Sequence, residues 1–104
     1  MPPLSERLTK KDFSLFAKKK LIRSDLLDIA YIEAPKHKVA CVIAKKHIKK
    51  AVARNKLRRK FYHAYIAVRP EKPYMVVLYP KPQAQYVSYG TLLDTLQKLL
   101  TPLS

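Results

Sequence analysis

The side chains with the clearest chemical potential lie between residues 44 and 68, a stretch rich in Lys and Arg that contains no Asp or Glu. Each Arg guanidinium can bind two phosphate oxygens at once, whereas each Lys ammonium acts as a compact point charge. Asn55 adds a neutral amide that can donate to phosphate or ribose and accept from a 2′-hydroxyl. Because no carboxylate balances these charges, the stretch repels itself unless a polyanion is nearby. These residue types therefore predict a phosphate-binding surface.

The composition of the whole chain also indicates a polyanionic partner. Its 104 residues include 22 Lys and Arg against 7 Asp and Glu, which gives a net charge of +15. Nucleic acid is the first candidate and an acidic membrane surface is the second. The membrane alternative is disfavoured because the sequence has no lipidation motif, no apolar run near the roughly 20 residues of a membrane span, and no apolar signal segment. We therefore expect a cytoplasmic protein with no membrane partner.

Residues able to catalyse a reaction alone are sparse. The seven acidic residues are scattered, whereas a metal-dependent nuclease needs converging carboxylates. His47 or His63 is a candidate general base, but no acid partner is evident, and contact with RNA or solvent is the favoured role. Cys41 is the single cysteine, which excludes an internal disulfide and a metal site built on paired cysteines. We assign no catalytic residue and no metal ligand to the chain.

The apolar spacing in the basic stretch predicts a helix with one buried side. At helical spacing, one apolar stripe is formed by Ala53, Leu57, Phe61, Ala64 and Val68. Ile48 and Val52 fall away from that stripe, so the first turn either packs differently or begins as a loop. The face opposite the stripe is expected to carry Asn55, Arg58, Arg59 and Tyr62. For Tyr62, contact with RNA and packing are equally open.

The remaining segments complete a single domain, residues 1–104, with residues 1–8 as a loose arm. A first helix is expected to begin at Thr9 and to carry Phe13 and Phe16 on one face. The apolar, β-rich runs predict four strands, at residues 21–23, Leu26–Glu33, Lys38–Ala44 and Tyr74–Tyr79. The second and third of these are most simply an antiparallel hairpin with a four-residue loop. A last helix, capped by Ser88, carries leucines at helical spacing. The order α-β-β-β-α-β-α predicts an α+β two-layer sandwich with a small mixed sheet.

That order, built around residues 49–60, resembles the protein subunit of bacterial ribonuclease P. The family's signature is a strand ending near a Lys pair, a helix opening with Ala-Val, and then Arg-Asn-Arg with further basic residues. Here these features are matched by Lys45-Lys46, Ala51-Val52 and Arg54-Asn55-Lys56. Asp12-Phe13 match the Asp-Phe of the family's first helix. The resemblance covers roughly residues 8–100.

The chain departs from the family pattern at several positions. Lys49 stands where the family has a small residue, and Tyr62 and His63 stand where it often has Arg and Glu. The two Phe residues of the first helix are three apart rather than four. The family's strand aromatic falls on Ala30, with Tyr31 one place further on.

The resemblance implies a fold and an activity. The fold is like the second domain of ribosomal protein S5, with a left-handed crossover through the basic helix. The holoenzyme is an endoribonuclease that removes the 5′ leader of precursor tRNA, with a large RNA as the catalyst and Mg²⁺ bound mainly by that RNA. The protein is expected to be non-catalytic and to bind the RNA, in a 1:1 ribonucleoprotein, and the leader.

The resemblance and the residue chemistry together give two candidate sites. The residues expected to bind the catalytic RNA are Lys46, Lys49, Arg54, Asn55, Lys56, Arg58, Arg59 and Lys60. The residues expected to bind the precursor-tRNA leader are Phe13, Phe16, Tyr31 and Lys46. The leader site combines rings that can stack on bases with a lysine for backbone charge. For Phe13 and Phe16, a place in the core is the competing interpretation.

Two other functions remain open at this stage. An rRNA-binding ribosomal or assembly protein would also present a basic helix to structured RNA. A self-sufficient metal nuclease is the third hypothesis. Cleavage that depends on added catalytic RNA would separate the ribonuclease P subunit from both alternatives.

Overall fold

The structure is a computed structural model and describes residues 19–103. Its elements in chain order are β1 (Lys20–Arg23), β2 (Leu27–Glu33), β3 (Lys38–Cys41), α1 (Ala51–Val68), β4 (Tyr74–Pro80) and α2 (Tyr89–Leu100). Short 3₁₀ segments, Pro82–Tyr86 and Thr101–Leu103, flank α2. The predicted α+β class with a small mixed sheet is confirmed. The predicted arm and first helix, with Phe13 and Phe16, lie outside the described residues.

The sheet has the order β1-β2-β4-β3, with β4 antiparallel to β2 and parallel to β3. The predicted hairpin between the second and third strands is therefore wrong, because β4 lies between them. β4 is buried at nearly every position, so the centre of the sheet removes the most apolar surface from water. Residues 34–37 cross the start of β4, where the Ala34 amide donates to the Pro73 carbonyl at 3.3 Å. Four extended residues reach about 13 Å, which exceeds two strand spacings of about 4.8 Å each.

Both helices pack against one face of the sheet. Alternate strand residues, among them Ile29 and Leu78, form a single buried cluster with Phe61 of α1 and Leu96 of α2. Ala30, Met75 and Val77 point to the other face and form a second, smaller buried cluster. The predicted alternation in β2 is confirmed, with Leu27 and Ile29 on one face and Ala30 on the other.

The basic helix α1 is shorter than the basic stretch that contains it. It begins at Ala51, and residues 44–50 form a turn and loop in which the Ile48 amide donates to the Ala44 carbonyl at 3.3 Å. Ile48 is buried in the core and fixes this loop. The predicted apolar stripe is confirmed, with Leu57, Phe61 and Ala64 buried, while Ala53 and Val68 pack at the edge of the core. Of the two alternatives for the first turn, the loop is the one observed.

Helix α2 matches its predicted pattern. The Ser88 hydroxyl accepts from the Thr91 amide at 3.2 Å, which caps the first turn. Leu92, Leu96 and Leu100 are buried on the side that faces α1 and the sheet. The connection from β3 through α1 to β4 joins adjacent parallel strands. Its left-handed sense stays a prediction from the family resemblance.

Candidate nucleic-acid interface

Two adjoining elements hold the residues predicted to bind RNA. Residues 44–50, here called the basic loop, lead from the end of β3 into α1 and expose four lysines, Lys45, Lys46, Lys49 and Lys50. Helix α1 then exposes a face, here called the outer face, that carries Asn55, Lys56, Arg59 and His63. Because Ile48 is buried between the lysines, the loop follows a fixed path although most of its side chains lie in solvent.

Arg54 joins the basic loop to the helix. Its Nη1 donates to the carbonyl oxygens of Ile48, at 2.9 Å, and Lys49, at 2.8 Å. These bonds to a charged donor restrain the loop just before α1 begins. Arg54 therefore positions the neighbouring lysines in addition to contributing its own charge.

Arg58 and Tyr62 fasten α1 to the edge strand β3. The Arg58 Nε donates to the Cys41 carbonyl at 3.3 Å, and the Tyr62 hydroxyl accepts from the Cys41 amide at 3.2 Å. The expectation that Arg58 and Tyr62 face away from the core is therefore wrong. Since α1 packs against β3 as well as α2, it buries more of its circumference than the apolar stripe alone. Of the two roles left open for Tyr62, packing is the one observed, with 6% of its surface exposed.

Asn55 is exposed and is oriented by Arg58. The Arg58 Nη1 donates to the Asn55 Oδ1 at 2.9 Å, so one acceptor position of the amide oxygen is used within the protein. The Nδ2 group then presents its two N–H donors to the outside. Such a group suits a phosphate or ribose oxygen better than it suits a hydrogen-bond donor.

Lys60 is also tied to the protein, since its Nζ donates to the carbonyl of Val87 in the segment before α2. Arg54, Arg58 and Lys60 are called the anchored basic residues below. Among the predicted RNA-binding residues, the exposed basic ones are Lys46, Lys49, Lys56 and Arg59. The predicted RNA-binding residues thus form one surface but divide into two groups by their contacts.

The start of α1 adds to the positive potential. Its N-cap residue, Lys50, makes no capping bond through its side chain, and the first turn contains no acidic residue. The first backbone N–H groups of a helix lack intrahelical partners and carry partial positive charge. Together with Lys49 and the basic loop, they make this end of α1 suited to phosphate.

Acidic residues elsewhere in the structure do balance nearby lysines. Glu33 pairs with Lys72 at 2.5 Å, and Asp28 lies 3.5 Å from Lys81. The hydrogen bond from Lys72 and its charge lower the pKa of Glu33 below its usual value. The basic loop and α1 contain no acidic residue in their sequence, so no carboxylate within these two elements balances their charge.

Of the residues predicted for the leader site, the structure describes Tyr31 and Lys46, which lie on different elements. Tyr31 lies on the sheet face that packs on the helices, with its ring edge-on to Tyr74 at a centroid distance of 5.7 Å. Lys46 lies beyond the end of β3, and β4 separates β3 from the strand that carries Tyr31. Phe13 and Phe16 lie outside the described residues. The leader site stays a prediction.

The structure also shows the surroundings of the side chains that could act in catalysis or bind a metal. Burial raises the pKa of the Cys41 thiol to about 12, so the thiol stays protonated near neutral pH and is a poor nucleophile. Across residues 19–103, no three His, Cys, Asp or Glu side chains converge in a way that could hold a metal ion. Over the same range, no helix is long and apolar enough to cross a bilayer.

One feature beside α1 was not predicted. A groove of about 320 Å³ lies between α1 and the 3₁₀ segment Pro82–Tyr86, and Lys56 and Gln85 are among the residues that line it. Tyr86 follows Gln85 in the chain, does not line the groove, and is 82% exposed. The sequence offers little signal for this feature, because its two sides are separated in the chain by β4 and the 3₁₀ segment has no periodic pattern of its own.

The fold and this surface define a small α+β protein that presents a basic helix and loop with no acidic residue of their own. The ribonuclease P family model matches residues 3–104, and the chain belongs to this family. It is thus a ribonuclease P protein subunit, a family whose partner is ribonuclease P RNA. A comparison with curated proteins found no match.

Solved structures of bacterial ribonuclease P proteins share the fold. The protein from Thermotoga maritima is 24% identical over 95% of this chain and 98% of its own, with a TM-score of 0.80. The Staphylococcus aureus protein is 14% identical over 95% of each chain, with a TM-score of 0.79. A mutant of the Staphylococcus aureus ribonuclease P protein with defective mRNA degradation activity is 15% identical over 95% of this chain and 88% of its own, with a TM-score of 0.80.

Proposed function

We propose that this chain binds the catalytic RNA of ribonuclease P through the basic loop and the outer face of α1. In the resulting ribonucleoprotein it promotes Mg²⁺-dependent removal of the 5′ leader from precursor tRNA. The observation that carries the proposal is a restrained surface whose charged side chains are all positive. Arg54 and Arg58 restrain the loop and the helix through backbone carbonyls, and the exposed basic residues project from that frame. A restrained cationic surface loses less conformational entropy when it binds RNA than a flexible tail does.

Each group on this surface has a distinct role toward RNA. Lys46 and Lys49, with the N-terminus of α1, neutralise phosphates as point charges. Arg59 can bind a phosphate through two parallel N–H bonds. Asn55 donates through Nδ2 to a phosphate or ribose oxygen, while its Oδ1 accepts from Arg58 and fixes the orientation of the amide. Phosphate neutralisation of this kind supplies affinity and fixes orientation rather than sequence preference.

The protein supports the reaction without carrying it out. Mg²⁺ is expected to be bound mainly by the RNA, where it would activate the attacking water and stabilise the leaving oxygen. By placing cations against phosphates near the catalytic core, the protein lowers the repulsion between RNA and substrate. Phe13, Phe16, Tyr31 and Lys46 are the proposed contacts to the single-stranded leader. The proposed assembly contains one protein per RNA and acts in the cytoplasm.

The test is cleavage of a precursor tRNA by a bacterial ribonuclease P RNA at low Mg²⁺, with and without the protein. We expect cutting at the mature 5′ end only when both are present. Cutting by the protein alone would instead establish a nuclease. Tight RNA binding without stimulation would favour the ribosomal or assembly-protein alternative.

A further inference from the structure

A pocket of about 470 Å³ lies at the end of the sheet that is remote from the basic loop. Residues of β1, β2 and β4 line one side, and the 3₁₀ segment Thr101–Leu103, here called the closing turn, forms the other. Tyr74, which lines the pocket, is the first residue of β4, whereas the basic loop follows the end of β3, which is level with Leu78. The volume is within the range of ligand sites in proteins and suits a single nucleotide.

The aromatic wall of the pocket is held in a fixed position. Tyr74 is 7% exposed, and its hydroxyl donates to the Leu103 carbonyl at 3.1 Å, which ties the closing turn to the start of β4. The Tyr31 ring lies edge-on to the Tyr74 ring at a centroid distance of 5.7 Å and is half-buried. Tyr31 therefore offers aromatic surface that is already ordered, which keeps the entropic cost of stacking low.

Lys20 supplies a cation beside this aromatic wall. It is directly opposite Tyr31 in the pairing of β1 with β2, so the two side chains lie on the same face of the sheet, and both line the pocket. Lys20 is exposed. Glu33 also lines the pocket, but it pairs with Lys72 at 2.5 Å, so its charge is balanced by a lysine outside the lining. Lys20 is therefore the cation that an entering phosphate would meet.

The position of Lys20 changes which lysine can accompany Tyr31. Four residues of β4 separate Tyr74 from the level at which β3 ends, which is about 13 Å at 3.3 Å per residue, and Lys46 lies beyond that point. A nucleotide whose base contacts Tyr31 can therefore place its own phosphate against Lys20 but not against Lys46. A fixed ring with a neighbouring cation is the combination by which proteins bind single-stranded RNA.

We propose that this pocket binds one unpaired nucleotide of the precursor-tRNA leader, with Tyr31 against the base and Lys20 against the phosphate. The inference rests on the proposed function, because it takes the leader as the source of the nucleotide. It replaces Lys46 with Lys20 in the leader site and leaves Lys46 to the catalytic RNA with the rest of the basic loop. Since a ring face and a phosphate contact accept every base, the pocket binds unpaired RNA without selecting its sequence.

The test measures binding of precursor tRNA and of mature tRNA to the assembled complex of this protein with a bacterial ribonuclease P RNA. Ionic strength is kept near the physiological value, which screens nonspecific attraction. We expect Tyr31→Ala to weaken binding of precursor tRNA by about 5- to 100-fold, the range for one base–aromatic stack, and to leave binding of mature tRNA unchanged. Tyr31→Phe should retain most of the affinity, because the ring face remains.

A pair of lysine variants tests the phosphate contact. Lys20→Ala should make the slope of log K against log salt for precursor tRNA shallower by about 0.7, the value for one phosphate contact on a single strand. Lys19→Ala is the matched control, since Lys19 is exposed and precedes Lys20 in the chain but does not line the pocket. Tyr31→Ala also loses the contact with Tyr74, so thermal unfolding checks each variant. If Tyr31→Ala does not fold, Lys20→Ala still decides the question.

The outcomes separate this inference from the proposed function. If the protein stimulates cleavage but Tyr31→Ala and Lys20→Ala bind precursor tRNA as wild type does, the pocket is overturned and the proposed function stands. Equal losses for precursor and mature tRNA, or from Lys19→Ala and Lys20→Ala, would also overturn the pocket. If the protein does not stimulate cleavage, the protein alone is titrated with a single-stranded RNA of the leader sequence. Tyr31-dependent binding would then support the pocket and overturn the ribonuclease P role, whereas binding without that dependence would overturn both.

Discussion

The two sides of helix α1 carry the same types of basic residue but have different structural roles. On the side that faces β3 and the basic loop, Arg54 and Arg58 donate to backbone carbonyls and hold neighbouring segments. On the outer face, Lys56 and Arg59 lie exposed in a helix without acidic residues. The anchored side supplies a rigid frame and the outer face supplies uncompensated charge. A run of basic residues is therefore not one functional unit, and substitutions on the two sides should differ in what they change.

The largest effect is expected from removing charge on the outer face. The double variant Lys56→Ala with Arg59→Ala should weaken binding to a bacterial ribonuclease P RNA by about 10- to 100-fold. Because two phosphate contacts are lost, the slope of log K against log salt should become shallower by about 1.5. The free energy of unfolding should stay nearly constant, because both side chains are exposed and neither forms a hydrogen bond or ion pair within the described residues. Filter binding across a salt series, paired with urea denaturation, measures both quantities.

The control for this prediction removes the same charge elsewhere. Lys36→Ala with Lys98→Ala changes two exposed lysines outside the basic loop and α1. If this pair weakens RNA binding as much as the outer-face pair does, the contact is nonspecific attraction to a cationic protein, and the proposed interface is wrong.

Arg58 offers the sharpest test of the anchored side. Arg58→Ala should lower the free energy of unfolding by about 1.5–3 kcal/mol, because the Cys41 carbonyl loses a charged donor and α1 loses a tie to β3. Arg58→Lys keeps the charge but cannot bond Cys41 and Asn55 together, so it should lose most of that stability while retaining much of the RNA affinity. Urea denaturation and RNA binding of both variants provide the readout. Comparable stability in the lysine variant and the wild type would show that only charge matters at this position.

Tyr62 tests the same attachment without any change of charge. Tyr62→Phe removes the acceptor for the Cys41 amide and leaves that buried N–H unsatisfied, at a cost of about 1–2 kcal/mol. The salt dependence of RNA binding should not change, since the hydroxyl faces β3 rather than solvent. A shallower dependence of RNA binding on salt in this variant, measured in the same titration, would indicate that Tyr62 contacts RNA.

The sequence predicted the fold where each element carried its own pattern. The apolar stripe of α1, the Ser88 cap and the leucine spacing of α2 are local features, and the structure confirms them. Strand order is not local. The predicted hairpin is wrong because it paired two strands that are neighbours in the chain. In the structure β4, the more completely apolar strand, lies between them at the centre of the sheet.

The site was predicted as a set of residues but not as an arrangement. Residue type indicates that Arg54 and Arg58 can bind phosphate, yet it cannot show that backbone carbonyls already accept from them. Those carbonyls belong to the basic loop and to β3, and only the folded chain brings them near.

The smallest effect is expected far from α1, where charge is already balanced. Glu33 and Lys72 are both exposed, and an exposed ion pair contributes little to stability. The pKa of Glu33 is lower in the folded protein than its ordinary value of 4.5, so the pair stabilises the fold above that pH, and its contribution is lost as the pH falls through the folded pKa. Glu33→Gln should therefore leave the unfolding midpoint at neutral pH almost unchanged. It should remove only a slight dependence of stability on pH in the acidic range. It should also leave RNA affinity unchanged, although it raises the net positive charge by one. A clear gain in affinity would mean that total charge, rather than the surface of α1 and its loop, governs binding.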